Sequence, residues 1–284
     1  CMGNPTILLT GGTGKTGRRI ASQLKNEGRR ARIASRSGSS VYGHPGVCFD
    51  WHNKTNHADM LEGIQAIYLV APSNETDTLE VMQPFIDLAL DRGIRRFVLL
   101  SASLLEEGGP MMGAVHRYLK QHAPEWIVLR PTWFMQNFSE EFHMSTILDE
   151  GRIYSATFFG RIPFVDTYDI ATVANAALTN PTPLNRDVII TGPESLSYAE
   201  VAQIIGGAIG HPVSHIRLSE EDFSRRLIDL GMSEPYAKTL AMLDTLVSRG
   251  CEDRLTSEVK DITGKPPKSL ETFAKEMRNI WLPD

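Results

Sequence analysis

Between Thr10 and Arg18 the chain reads Gly11-Gly12-Thr13-Gly14-Lys15-Thr16-Gly17. An apolar run, Thr6–Thr10, leads into it and an amphipathic run follows it. Gly11 or Gly12 permits a tight turn, Gly14 lets backbone approach a pyrophosphate, and Gly17 lets a helix pack closely on a strand. The helix start then offers N–H donors and the positive end of its dipole to phosphates. Gly14-Lys15-Thr16 also looks like the end of a nucleotide-triphosphate loop, but that pattern needs glycine where Leu9 stands, inside the strand. The chemistry expected of this loop is therefore dinucleotide binding.

Which dinucleotide is decided at the end of the second strand, where a carboxylate would grip a free ribose 2′-hydroxyl. Here the chain reads Ala34-Ser35-Arg36-Ser37, with no acid. Arg36 can fork onto a 2′-phosphate, with Ser35 or Ser37 adding hydrogen bonds, so NADP(H) is the expected cofactor. Asp50 is placed to meet the adenine amine or to make a turn. Ala71, Pro131 and Thr132, just past later strands, are assigned to the same cofactor.

The elements that must hold these residues follow from periodicity. Strand patterns occur at Thr6–Thr10, Ala31–Ser35, Val47–Asp50, Ala66–Val70, Arg96–Leu100 and Trp126–Arg130. Helical patterns separate them at Lys15–Glu27, Ala58–Gly63, Glu80–Arg92 and Gly113–His122. Right-handed crossovers then give an α/β Rossmann fold, a doubly wound parallel sheet with ligand beyond the C-terminal strand ends. Past Pro131 the period loosens and aromatic residues crowd in. Asp169 is expected to cap a helix over Asp169–Leu178, Ser197 one over Tyr198–Ile209, and Ser219 one over Glu220–Leu230; another starts near Ser269. The expected division is an NADP(H)-binding domain of residues 2–135 and 163–192. A smaller, mainly helical substrate-binding lobe takes 136–162 and 193–284.

A net charge of −5 and a pI near 5.9 argue against nucleic acid as partner. Cys1, Cys48 and Cys251 are too few and scattered for a disulfide framework or a cysteine-rich metal site. No apolar run nears the roughly 18–20 residues of a membrane span. Ile7-Leu8-Leu9 is too short for a signal-peptide core, and Cys1, ahead of Met2, reads as an appended residue. A cytoplasmic location is expected.

The catalytic machinery is less plain. Ordinary short-chain dehydrogenases place tyrosine and lysine on one helix face as Tyr-x-x-x-Lys. None of the seven tyrosines has lysine four residues on; Tyr118 is followed there by His122. His116 and Lys120 share a helix face, as active-site groups or as an exposed polar surface. There is no Gly-x-Ser-x-Gly and no His-Glu-x-x-His. His211 and His215 flank Pro212 and fall in a loop or strand, so no metal is expected.

Taken together, Thr6–Gly17, Arg36, Arg96–Ser101, Arg130–Phe138 and Asp166–Ala171 resemble the NmrA-like atypical short-chain dehydrogenases. Thr191-Gly192-Pro193-Glu194, Tyr198–Ala202 and Ile262–Pro267 extend the resemblance over essentially the whole chain. Within that family the chain is most similar to the fungal ergot-alkaloid dehydrogenases of the festuclavine and agroclavine type. The resemblance implies NADP(H) and hydride transfer to a cyclic imine or iminium of an indole-alkaloid-type compound. Two other readings stay open: an NADP+-dependent oxidase or rearrangement catalyst, and a non-catalytic dinucleotide sensor that regulates a partner protein.

Iminium reduction makes the missing tyrosine–lysine pair intelligible, because the carbon is already electrophilic and hydride can arrive without protonation of an oxygen. Asp166 is the candidate carboxylate to favour a cation. Ser101 and His116 complete the catalytic candidates; Ser101 and Ser103, past the fifth strand, can orient substrate or cap a loop. Trp133, Phe134, Asn137 and Phe138 are the candidate lining for a flat polycyclic substrate, with core packing the alternative for the aromatics. The oligomeric state is not legible.

Overall fold

The computed structural model describes residue 3 and residues 5–284; Cys1, read above as an appended residue, lies outside the described residues. The chain begins β1 (Ile7–Thr10), α1 (Lys15–Asn26), β2 (Ala31–Ser35), β3 (Gly46–Cys48), α2 (His57–Met60), β4 (Ala66–Val70), α3 (Thr78–Asp91), β5 (Arg96–Leu100), α4 (Met112–His122) and β6 (Glu125–Pro131). It continues with α5 (Phe142–Glu150), β7 (Arg152–Ser155), β8 (Arg161–Ile162), α6 (Thr167–Thr179), β9 (Arg186–Ile190) and β10 (Leu196–Ser197). The last elements are α7 (Tyr198–Ile209), β11 (Ser214–Arg217), α8 (Glu220–Asp229), α9 (Glu234–Ser248), α10 (Glu258–Thr263) and α11 (Leu270–Met277). They form two compact units, which change over after Arg130, Asp169 and Ile189, against the expected breaks at 135, 163 and 192.

The first unit is built on a seven-stranded sheet in the order β3-β2-β1-β4-β5-β6-β9. The pairings of β1 with β2 and β4, of β2 with β3, and of β5 with β4 and β6 are parallel. That is the Rossmann order, with β9 added at one edge. Strands covered on both faces must be apolar throughout, and Ile7, Leu8 and Leu9 of β1 are all buried. α1 turns Ile20, Ala21 and Leu24 inward, a stripe at helical spacing. Arg96, buried on β5, donates to the carbonyls of Ala177, Leu178 and Asn180 at the C-terminus of α6. Asn175 of α6 donates to Glu27 just past α1, and Gln23 of α1 donates to Thr172. These bonds explain why the body of α6 belongs with the sheet.

The second unit is mainly helical. β7 pairs in parallel with β11, and β8 antiparallel with β10. Phe138, His143, Phe164 and Tyr198 pack ring against ring, with centroids 5.2–5.8 Å apart for Phe138–Phe164, Phe138–His143 and Phe138–Tyr198. The Trp281 indole N–H closes this core by donating to the Phe138 carbonyl at 2.7 Å. A second cluster, Ala156, Phe223, Leu227, Ala237 and Ala241, lies between α8 and α9. Among the described residues no helix is long and apolar enough to cross a membrane.

Candidate functional site

In the first unit, β1, β4 and β5 run in parallel, so their C-terminal ends share one edge of the sheet. The glycine loop leaves β1 at that edge. Gly11 sits at φ +60°, the left-handed region, and the Gly14 N–H donates to its carbonyl at 2.9 Å. A Cβ on Gly12 would stand 2.6 Å from the Ile33 methyl, and one on Gly17 only 2.3 Å from the Gly11 carbonyl oxygen. At Gly14 a Cβ would meet the Gly11 oxygen alone, at 3.1 Å. Gly17 is thus demanded by helix-on-loop packing, whereas Gly14 is exposed and a Cβ there asks the Gly11 carbonyl to give by only a few tenths of an ångström.

Gly14 also precedes the first turn of α1, where no side chain caps the helix and no acid stands. The early N–H groups are therefore not covered by a carboxylate, which is the donor set a pyrophosphate needs. Thr13 is exposed beside them and Lys15 half-buried. Thr16 departs from expectation in its side chain: the hydroxyl lies 2.9 Å from the buried Tyr68 hydroxyl and ties α1 to β4.

Arg36 is exposed directly after β2. Ser35 is buried with its hydroxyl 3.3 Å from that of Ser37, which in turn donates to Ser39 at 2.9 Å. A guanidinium flanked by hydroxyls, with no carboxylate from 34 to 39, fits a 2′-phosphate. Asp50 makes a turn: its Oδ1 accepts from the His52 N–H at 2.9 Å, and its carbonyl holds the His57 ring at 2.9 Å. Ala71 follows β4 and is half-buried.

Past β5, Ser101 is buried and its hydroxyl has no hydrogen-bond partner among the described residues. His116 and Lys120 do not act as a pair. His116 is 2% exposed, its ring 5.7 Å from that of Trp126, and burial holds its pKa below the usual range. Lys120 reaches outward to Glu107 at 3.0 Å. Tyr118 donates to Asp87, and burial together with that carboxylate pushes its pKa up to about 12.

In the second unit Pro131 and Thr132 are buried, and the Thr132 hydroxyl donates to the Pro163 carbonyl at 2.6 Å. The hydroxyl proton is thus spent on backbone. Trp133, Phe134 and Asn137 are half-buried. Phe138 is fully buried in the aromatic core, which leaves it no face for a substrate.

Asp166 corrects two expectations. It, not Asp169, caps α6: its Oδ1 accepts from the Tyr168 N–H at 2.8 Å and from Gln136 Nε2 at 3.0 Å. Its other oxygen lies 3.3 Å from Lys268 Nζ, so the buried carboxylate is already paired rather than free beside a substrate. Asp169 lies in the first turn and accepts from the Lys268 N–H at 2.8 Å; burial raises its pKa to about 6. Burial works against the Lys268 charge, but Glu276 at 2.7 Å and Asp166 outweigh it and hold its pKa up. Sequence reasoning gave no role to Gln136, although it lies within the Arg130–Phe138 segment, or to Lys268, which no motif marks. Beside them Tyr168, Asp169, Glu194, Pro267, Lys268 and Thr272 help line an open cleft of about 690 Å3. None of Trp133, Phe134, Asn137 and Phe138 lines it.

Residues 3–274 match the profile of the NmrA-like family. The uncharacterized oxidoreductase YesF of Bacillus subtilis is 43% identical over 278 residues, covering 98% of this chain and 96% of the relative. Agroclavine dehydrogenase of Claviceps fusiformis is 41% identical over 289 residues, covering 98% and 99%. Among solved structures, the NADPH-dependent quinone oxidoreductase QOR2 of Escherichia coli, complexed with NADPH, has a TM-score of 0.78 at 19% identity. It covers 95% of this chain and 99% of that one, a likeness of fold.

Proposed function

The chain belongs to the NmrA-like family, and from that premise we propose that it is an NADPH-dependent reductase of a cyclic imine or iminium in an indole-alkaloid-type compound. The observation that carries the reading is the end-to-end likeness to an agroclavine dehydrogenase, at 41% identity with nothing but short margins left over on either chain. The first unit fits the cofactor: an uncovered helix start behind a glycine turn for the pyrophosphate, and Arg36 with Ser35 and Ser37 for the 2′-phosphate. When bound, NADPH supplies a hydride to the iminium carbon while the C=N π pair returns to nitrogen, leaving an amine and NADP+.

The protein's own residues orient the reactants and exclude water. A substrate already in the iminium form requires no proton donor, and a neutral imine takes its proton from water before hydride arrives; this is in keeping with Tyr118, whose hydroxyl is committed to Asp87 and is held well above the range of a donor at neutral pH. Trp133, Phe134 and Asn137 contact the polycyclic substrate. Ser101 supplies an orienting hydroxyl past β5. Exposed free thiols at Cys48 and Cys251 favour work in the reducing cytoplasm.

The test is incubation of the purified protein with NADPH deuterated at the transferring carbon and with a clavine-type iminium. Loss of absorbance at 340 nm with deuterium on the product carbon is expected. Tight NADPH binding with no turnover on any iminium would favour the sensor reading, and turnover only with NADP+ the oxidase reading.

A further inference from the structure

The ten residues after Ser101, leading from β5 into α4, form a loop at the same sheet edge as the glycine loop, and little in their sequence explains why they hold one shape. The loop makes some bonds of its own: the Leu105 N–H donates to Ala102, Gly109 to Glu106, and Gly108 to Gly113 at 2.7 Å. It also carries strain, since Met111 sits at φ +56°, a left-handed conformation that is unfavourable for a side chain of that size. Such strain persists only where the surroundings over-determine the backbone.

One buried cation ties down the first half of this loop. Arg130, on β6, is 5% exposed. Its Nη2 donates to the Ser103 carbonyl at 2.6 Å and lies 3.2 Å from the Glu106 carboxylate. Its Nη1 donates to Asp187 of β9 at 2.8 Å. The planar guanidinium thus joins β6, β9 and the loop at two points, a task for a fork of donors rather than for a point charge. Asp187 anchors the fork, and the guanidinium beside that carboxylate outweighs burial to hold its pKa below the usual range.

We propose that Arg130 is a positioning residue for the reductase reaction. Through Ser103 and Glu106 it fixes the loop that begins with Ser101, and so the placement of whatever that loop presents at the ligand edge. The proposal rests on the reductase reading above. Arg130 touches no reactant in it; it acts through the loop.

The experiment compares wild type with Arg130→Lys and Arg130→Met in three measurements: amide exchange of residues 102–111 in the NADPH-bound protein, NADPH affinity, and steady-state kinetics with an iminium substrate. Lysine keeps a charge for Asp187 but cannot serve both it and the Ser103 carbonyl, so Arg130→Lys is the variant expected to stay folded. In it the loop amides should exchange faster and kcat should fall by about tenfold to a hundredfold, the scale of an ångström-sized misplacement. NADPH affinity should stay within about twofold, because the glycine loop and Arg36 are untouched. Loop amides protected as in wild type overturn the clamp. A released loop with unchanged kcat overturns the catalytic consequence. A wild type that reduces no iminium sinks the reductase reading instead, while the exchange data still decide whether Arg130 holds the loop.

Discussion

At the scale of single residues the glycines of the loop are not interchangeable, and the structure separates their duties. Gly17 is needed for folding, since any Cβ there runs into the Gly11 carbonyl at 2.3 Å. Gly14 is far less constrained by the fold, because its Cβ would meet a single oxygen at 3.1 Å, which the loop relieves by a shift of a few tenths of an ångström. Gly14→Val should therefore give a folded protein with wild-type circular dichroism and at least a tenfold loss in NADPH affinity, about 1.4 kcal/mol or more. Gly17→Val should lower Tm whether or not cofactor is present. A Gly14→Val protein with normal affinity would mean the loop does not face a pyrophosphate. Arg36 is the second residue-scale case. It stands exposed after β2 with no acid nearby, so Arg36→Ala should cost little stability. It should weaken NADP(H) binding by about 1.5–3 kcal/mol, roughly tenfold to a hundredfold, and leave NAD(H) binding almost unchanged. Titration with both cofactors reads this directly, and equal NADP(H) affinity in variant and wild type removes Arg36 from the site. Both residues were legible in the sequence because their type and spacing are dictated locally by a turn and a strand end. The Arg130 fork was not, since its partners Ser103, Glu106 and Asp187 are brought together only by strand order.

At the scale of elements the first half of the chain was readable for its strands to within about two residues and for its helices to within about three. Ala31–Ser35, Ala66–Val70 and Arg96–Leu100 are strands with the expected bounds, because buried parallel strands are short apolar runs between turn residues. Val47–Asp50 was misplaced by a residue or two: the strand is Gly46–Cys48, and Asp50 folds into a turn with His52. The caps Ser197 and Ser219 were readable for the same local reason and accept from Glu200 and Asp222; Ser269, read only as the neighbourhood of a helix start, also caps, accepting from Thr272. Asp169 was not, because two aspartates three residues apart, Asp166 and Asp169, both fit a cap by type. The structure gives the cap to Asp166, and the change alters what Asp166 is expected to do. Asp166→Ala removes the cap, leaves the Gln136 side-chain N–H without that acceptor and leaves Lys268 with Glu276 as its one carboxylate partner, which should cost about 1–3 kcal/mol. Asp166→Asn keeps the capping oxygen and should recover the capping part of the loss, since asparagine caps as well as aspartate, but not the Lys268 ion pair. Urea unfolding of the two variants measures the difference. A catalytic carboxylate behaves in the opposite way: if Asp166→Asn kept stability but lost kcat/KM by about tenfold or more, the charge would be acting on the substrate after all.

At the scale of the whole molecule the pH dependence of stability is set by buried groups of opposite habit in the second unit. His143 is fully buried among Phe138, Phe142 and Tyr198, and burial lowers its pKa from 6.5 to about 3. Below pH 6.5 the unfolded chain takes up a proton that the folded protein refuses, so this group removes stability as pH falls from 6.5 towards 3. His215, with its pKa lowered by burial to about 4, acts in the same direction. Asp244 of α9 does the reverse. Its carboxyl accepts the Ala156 N–H at 3.0 Å, and burial raises its pKa from 3.8 to about 7. The folded protein keeps a proton there that the unfolded chain has lost, so stability falls as pH rises from 3.8 through 7. Asp169, raised from 3.8 to about 6, adds to that trend. Between roughly pH 4 and 6.5 the two slopes oppose each other, and the wild type should unfold at nearly constant urea concentration across that window. Asp244→Asn separates them. An asparagine can still accept the Ala156 N–H but does not titrate, so it imitates the protonated acid at every pH. The variant should match or exceed wild-type stability at pH 8, and then lose stability as pH is lowered below 6.5 with a slope of about 1.4 kcal/mol per pH unit, that of His143, with His215 and Asp169 opposing each other. His143→Phe should show the opposite tilt, most stable near pH 4 and weaker towards 7. Urea midpoints for the three proteins from pH 4 to 8 decide the matter. Parallel curves for wild type and Asp244→Asn would mean that Asp244 is ionised in the folded state and that the balance described here does not exist.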